Sequence, residues 1–326
     1  EAVGDVEGQF AVGAAVGGLR CLDLRDGSIV WRFEVDDPVG SRPCYDPERL
    51  RVYFGADDGT LYALHARSGR ELWRAATGAE IRSAIHRVED TLYLANADST
   101  VVAVDPVTGE VIWRYRRPPI EGFSSSGYAD IRLHRGRVYA AMADGVVVAL
   151  DAVSGALRWE HDLAAEVVTA TREGDINLVD ADATPVVVDG VLVASSISGG
   201  MAGLDAETGN VLWTLPTVDR VTGLATANDL VYAARAGVGI TAVRPRAGEV
   251  AWTSTFGRGV KQDPLLHDDL LLVADSEDGL FAVSTADGRV LQRLDQNEGF
   301  FAPPSTAGGY LLALGNRGTL FAFALE

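Results

Sequence analysis

Along most of the chain apolar and polar residues alternate in short runs with a period of two. In "LYALHA" (61–66), Leu61 and Ala63 fall on one side and Tyr62 and Leu64 on the other, the pattern of a strand packed between two layers. Upstream of this run is another strand-like segment, "RVYFGADDG", and elsewhere a shorter one, such as "ATPVVVDG", comes before that. The pattern predicts strands joined by tight turns rather than helices.

The run recurs. "LRCLDLRDGSIVW", "LYALHARSGRELW", "VVAVDPVTGEVIW", "VVALDAVSGALRW", "MAGLDAETGNVLW", "ITAVRPRAGEVAW" and "LFAVSTADGRVLQ" stack on their glycines, and an eighth copy, "LFAFALE", reaches the C-terminus before its turn. The copies begin at 19, 61, 101, 147, 201, 240, 280 and 320, a step of 39–42 residues apart from two longer steps of 46 and 54. Self-similarity at about 40 residues marks a repeat architecture in which each copy is one supersecondary unit. Four short strands per copy predict an all-β chain, one eight-bladed β-propeller of four-stranded antiparallel blades filling residues 1–326 as a single domain. The last copy ends without its outer strand. A strand from the N-terminal side is expected to close it, drawn from residues before Glu1 in preference to "EAVGDVEG", which aligns as the start of the first blade.

Each turn has a mechanism. In "DPVTGEVIWRY" (105–115) Asp105 is placed to accept hydrogen bonds from turn amides, and Gly109 supplies the positive φ of a tight hairpin. Four residues after the glycine stands Trp31, Trp73, Trp113, Trp159, Trp213 or Trp252, which is every tryptophan in the chain. A large flat side chain at one fixed place per blade is expected to fill the wedge between neighbouring sheets. The seventh copy has Gln292 there, so one junction is expected to pack less well.

Charge narrows the function. Asp and Glu outnumber Lys and Arg by 46 to 28, a net charge of −18, and Lys261 is the lone lysine. A field of this sign repels phosphate backbones, which argues against nucleic acid as a partner. With 47% apolar residues, the class is soluble and globular, and no run reaches the length of a membrane span. Catalytic patterns are scarce. His65, His86, His134, His161 and His267 are scattered without ligand spacing, and no nucleophile elbow or phosphate loop occurs. The acidic clusters at 56–59, 180–184 and 275–279 read as turn residues. Cys21 and Cys44 lack zinc-ligand spacing. No cofactor and no metal are expected.

The two long steps put extra residues at 116–129 and 163–182, each between the last strand of one blade and the first strand of the next. Long loops on a rigid repeat are where such proteins bind partners, and these two are expected to form one patch.

The copies "LYAL…SGRELW" and "VVALDAVSGALRW" resemble the pyrroloquinoline-quinone-like propeller repeat over essentially the whole chain, and "DINLVDADATPVVVDG" within 175–213 resembles the outer-membrane protein assembly factor BamB family. That resemblance implies a non-enzymatic, cofactor-free scaffold that assists assembly of outer-membrane β-barrel proteins. Its partners would be the barrel subunit of the assembly machine and unfolded outer-membrane proteins. It also implies a periplasmic location at the outer membrane, reached through a lipid anchor upstream of Glu1. Asp180 and Asp182 match the family's Asp-x-Asp partner contact, and Phe123 keeps the apolar character of its second contact, where Ser125 and Ser126 replace a Leu and an Arg. Two alternatives stand beside this reading. One is an extracytoplasmic ligand-sensing propeller of a receptor kinase; the other is a quinone-dependent dehydrogenase, whose family's adjacent cysteine pair is absent here.

Overall fold

A computed structural model describes residues 2–6, 10–15, 17–117, 129–163, 183–196 and 200–325. Among the described residues every regular element is a strand, and the strands form antiparallel meanders in chain order. The second sheet is typical, with strands Cys44–Asp46, Arg51–Gly55, Thr60–His65 and Glu71–Ala76. Val52, Tyr53, Phe54 and Tyr62 of its two middle strands are buried, on both faces of the sheet, and the last strand is the more exposed edge.

The expectation of eight four-stranded blades is corrected here. Seven sheets have four strands, over residues 2–34, 44–76, 86–116, 131–162, 186–215, 221–255 and 265–294. The C-terminal sheet stops at three: Ser305–Ala307, Tyr310–Leu314 and Leu320–Ala324. Among the described residues, the fourth strand, which follows the turn glycine in every complete blade, has no counterpart on this sheet. Ala2–Val6 does not supply it, because that segment pairs with Phe10–Ala15 as the first strand of the first blade.

The described contacts fall into two units. One holds the first three blades and the strands of the C-terminal sheet; the other holds the fourth to seventh blades with residues 315–319. In the first unit, the opening strand of the first blade lies beside Ser305–Ala307 and beside Cys44–Asp46. The core lies in the seams between sheets: Leu19, Cys21 and Trp31 of the first blade pack with Val52, Phe54, Tyr62 and Leu64 of the second. In the second unit, Tyr232, Ala234 and Ala242 of the sixth blade pack in the same way with Leu271, Val273 and Phe281 of the seventh. Burying such side chains contributes about 1.5–3 kcal/mol each, so the seams carry most of the hydrophobic stabilisation.

The turns are built from their own sequence. Asp105 Oδ1 accepts from the N–H groups of Val107 (2.7 Å) and Thr108 (2.8 Å), and the Gly109 N–H donates to the Asp105 carbonyl at 2.9 Å with φ at +79°. The Thr108 and Val107 N–H groups hold the Asp105 carboxyl below its ordinary value despite partial desolvation.

All seven fourth strands share a feature that alternation alone hides: a β-bulge just before the tryptophan position, seen where Ala63 faces Trp73 but Leu64 faces Glu71. The extra residue is pushed outward. This is why Val30, Ile112, Leu212 and Leu291 are exposed within otherwise apolar runs.

Candidate functional site

Phe123, Asp180 and Asp182, together with most of both long loops, lie outside the described residues. What is described is the frame on which the loops are mounted. Leu163, at the start of the second loop, is buried, and its N–H donates to the Gly145 carbonyl at 3.1 Å. At the far end of the first loop, Ala129 is buried against Ala141. The next residues join this end to the end of the second loop: the Asp130 N–H donates to Thr184 Oγ1 at 3.0 Å, and Arg132 Nε donates to the Pro185 carbonyl at 3.3 Å. The Asp130 carboxylate accepts from the Ile131 N–H at 2.8 Å and so fixes the entry into the fourth blade. The C-terminal stems of the two loops are therefore stitched together by hydrogen bonds between successive blades.

The fourth and fifth blades that carry these stems are themselves joined through one carbonyl. Ala206 O accepts from Trp159 Nε1 (3.2 Å), Tyr139 Oη (3.0 Å) and Arg137 Nη1 (3.4 Å), while Arg137 also pairs with Glu207. That pairing raises the Arg137 pKa and lowers that of Glu207. The second and third blades repeat the device at Pro106 O, which accepts from Trp73 Nε1 (3.2 Å), Tyr53 Oη (3.1 Å) and Arg51 Nη1 (2.5 Å). The sequence reading singled out the tryptophans and missed their helpers, whose signal was the repeated "RVY" at 51–53 and 137–139.

The other tryptophans occupy related places. Trp31 Nε1 donates to Ala66 O at 2.8 Å and Trp213 Nε1 to Pro245 O at 2.6 Å. Trp113 lies 6.0 Å from Tyr93 between ring centroids, and Trp252 lies 5.7 Å from Tyr232 and against Gly288. Trp252 Nε1 is buried without a hydrogen-bond partner, and the structure offers no physical account of it.

The lone lysine is also structural. Lys261, fully buried in the linker between the sixth and seventh blades, pairs with the equally buried Asp275 at 2.8 Å and donates to the carbonyls of Gly257 (3.1 Å) and Gly259 (3.0 Å). A compact ammonium meets three oxygens there. Asp275 Oδ1 in turn accepts from the N–H groups of Glu277 and Asp278.

Reactive chemistry is sparse among the described residues. No group of three or more His, Cys, Asp or Glu side chains is placed to hold a metal. Cys21 and Cys44 are free thiols, and burial pushes both up to about 11, which removes the thiolate at neutral pH. Among the described residues no helix is long and apolar enough to cross a membrane.

Known proteins match this chain along nearly all its length. The family model described as outer membrane protein assembly factor BamB matches residues 15–254 and 236–326. The chain is 25% identical over 328 residues to outer membrane protein assembly factor BamB of Yersinia pestis, covering 94% of this chain and 79% of that protein. It is 32% identical over 147 residues to the protein of that name in Salmonella typhimurium, covering 44% of this chain and 37% of the relative. In fold it is similar to the crystal structure of BamB from Moraxella catarrhalis, with a TM-score of 0.78, 22% identity and 96% of each chain covered. The chain belongs to the outer membrane protein assembly factor BamB family.

Proposed function

We propose that this protein is a non-enzymatic scaffold in the assembly of outer-membrane β-barrel proteins, and that it works at the periplasmic face of the outer membrane. The observation that carries the reading is that the family model runs through all eight copies of the repeat rather than one stretch of them. The physical character of the described residues supports it: sheets joined by buried seams, and stems of two long loops fixed on that frame.

Its partner-binding surface is the pair of long loops at 116–129 and 163–182, with Asp180, Asp182 and Phe123 as contacts to the barrel subunit of the assembly machine. The joined stems at Asp130–Thr184 and Arg132–Pro185 support this assignment, because they bring the C-terminal ends of both loops to one place. Two carboxylates one residue apart suit a basic partner strand or loop.

Charge reversal tests the surface. Asp180→Lys with Asp182→Lys is expected to abolish co-precipitation of the barrel subunit while the urea midpoint stays unchanged. Undiminished co-precipitation removes these residues from the interface.

A further inference from the structure

The loop end of the seventh blade is fastened by charge where other blades use apolar side chains. Four of the linkers that lead into blades align through one main-chain bond each: the carbonyls of Glu80, Arg220, Val260 and Gly299 accept from the N–H groups of Ala97, Ala236, Ser276 and Asn316 at 2.9–3.0 Å. The next residue in each linker is fully buried, and these residues are Ile81, Val221, Lys261 and Phe300. An ammonium therefore takes a place that is apolar in the other three.

This exchange changes how the joint comes apart. Taking an ammonium and a carboxylate out of water is costly, and the Lys261–Asp275 pair holds only while both partners are in place. On separation both ions regain hydration, whereas Ile81 or Val221 would expose apolar surface and gain nothing. The polar joint is the one that opens locally at the lower cost.

Much of the surrounding chain rests on the same two residues, Asp275 and Ser276. The Val260 N–H donates to Ser276 Oγ at 2.9 Å, the Phe300 N–H to the Asp275 carbonyl at 2.9 Å, and Asn316 Nδ2 to the Ser276 carbonyl at 2.9 Å. Thr222 Oγ1 of the sixth blade donates to the Lys261 carbonyl at 2.7 Å. Gly299 lies so close that a Cβ there would fall 1.8 Å from the Ser276 carbonyl oxygen. The outer edge of the blade adds no indole, because Gln292 stands in its place and Val290–Leu294 is largely exposed.

We propose that Lys261 and Asp275 form a latch, and that the loop end of the seventh blade opens as one unit when the pair parts. Opening frees the linkers at 257–262 and 298–300 together with 315–317, ahead of the rest of the second unit. The latch is independent of the assembly role.

The test uses the full chain and reads opening in two ways. Amide exchange follows the N–H groups of Val260, Ser276, Phe300 and Asn316, and acetylation by acetic anhydride follows Lys261, which as the lone lysine gives the only side-chain amine signal. In the parent protein all five sites are expected to share one opening constant within about threefold, at least about tenfold larger than that of the Leu192 and Ala194 amides in the fifth blade. Lys261→Met and Asp275→Asn are each expected to speed exchange at Val260, Ser276, Phe300 and Asn316 by at least about tenfold and to leave Leu192 and Ala194 unchanged. Unequal opening constants for Lys261, Phe300 and Asn316 in the parent would overturn the proposal, as would opening no easier than at Leu192 and Ala194. Faster exchange confined to residues beside each substitution would also overturn it. The parent measurement decides the question if a variant does not fold.

Discussion

The second and seventh blades are copies of one repeat whose fourth strands differ at the tryptophan position. In the second, Trp73 covers Ala63 completely and donates to a carbonyl of the third blade, and Gly109 of that blade lies under its ring. In the seventh, Gln292 takes that place; the strand Val290–Leu294 is exposed along nearly its whole length, and Ala282 beneath it is half open. Both strands keep their ladder and their bulge. Backbone pairing therefore sets the shape of a blade, and the indole decides how firmly it is bound to its neighbour.

The largest effect that would break this contrast is loss of a buried indole. Trp31 is 8% exposed, and Trp31→Ala is expected to lower stability by about 3–5 kcal/mol, read as a drop in the urea midpoint, whereas Gln292→Ala should change it by less than about 0.5 kcal/mol. Equal effects would show that the indoles do not bind the blades together. The converse substitution is smaller and sharpens the comparison. Gln292→Trp restores the repeat and is expected to add about 1 kcal/mol, seen as a higher melting temperature.

The smallest effect concerns the turns. Hydrogen bonds from Thr108 and Thr208 lower the carboxyls of Asp105 and Asp205, whereas the seventh copy has Ser284 at that place. A depressed folded pKa contributes stability above the ordinary aspartate value of 3.8 and loses it as pH falls through the lower folded value. The urea midpoint is therefore expected to fall below about pH 4, less steeply in Asp105→Asn, while Ser284→Asn leaves the slope unaltered. Parallel acid limbs for parent and Asp105→Asn would contradict this.

Much of the blade was legible because its determinants are local. The Asp-to-Gly turn, the period of two and the tryptophan four residues on are all written within fifteen residues, and the observed strands follow them. What escaped is non-local or nearly silent in sequence. A bulge changes register without changing residue type, so nothing in the sequence marks Val30 and Leu212 as the exposed members of their apolar runs. Arg51 and Tyr53 reach a carbonyl 53 to 55 residues away, a partnership no spacing rule reveals. Eight copies of a repeat also do not make eight complete sheets: "LFAFALE" reads as a blade strand, yet among the described residues its sheet has three strands, since a fourth depends on another segment. The candidate contacts Asp180, Asp182 and Phe123 came from resemblance, and Thr184 and Arg132 at the loop stems gave no sequence signal because each side chain bonds to a main-chain group, which any residue type presents.

The joints between blades end on main-chain oxygen, and this governs which positions tolerate change. Ala66, Pro106, Ala206 and Pro245 each present the acceptor, and alanine and proline serve alike because a carbonyl is common to every residue. Three residues further on, the glycine has no such freedom: at Gly109 a methyl group would meet the indole at 2.7 Å in a conformation that side chains resist. A lineage of such proteins can therefore drift at one site of every turn while the other stays fixed, and its members remain able to dock each repeat onto the next after most of their shared identity has worn away.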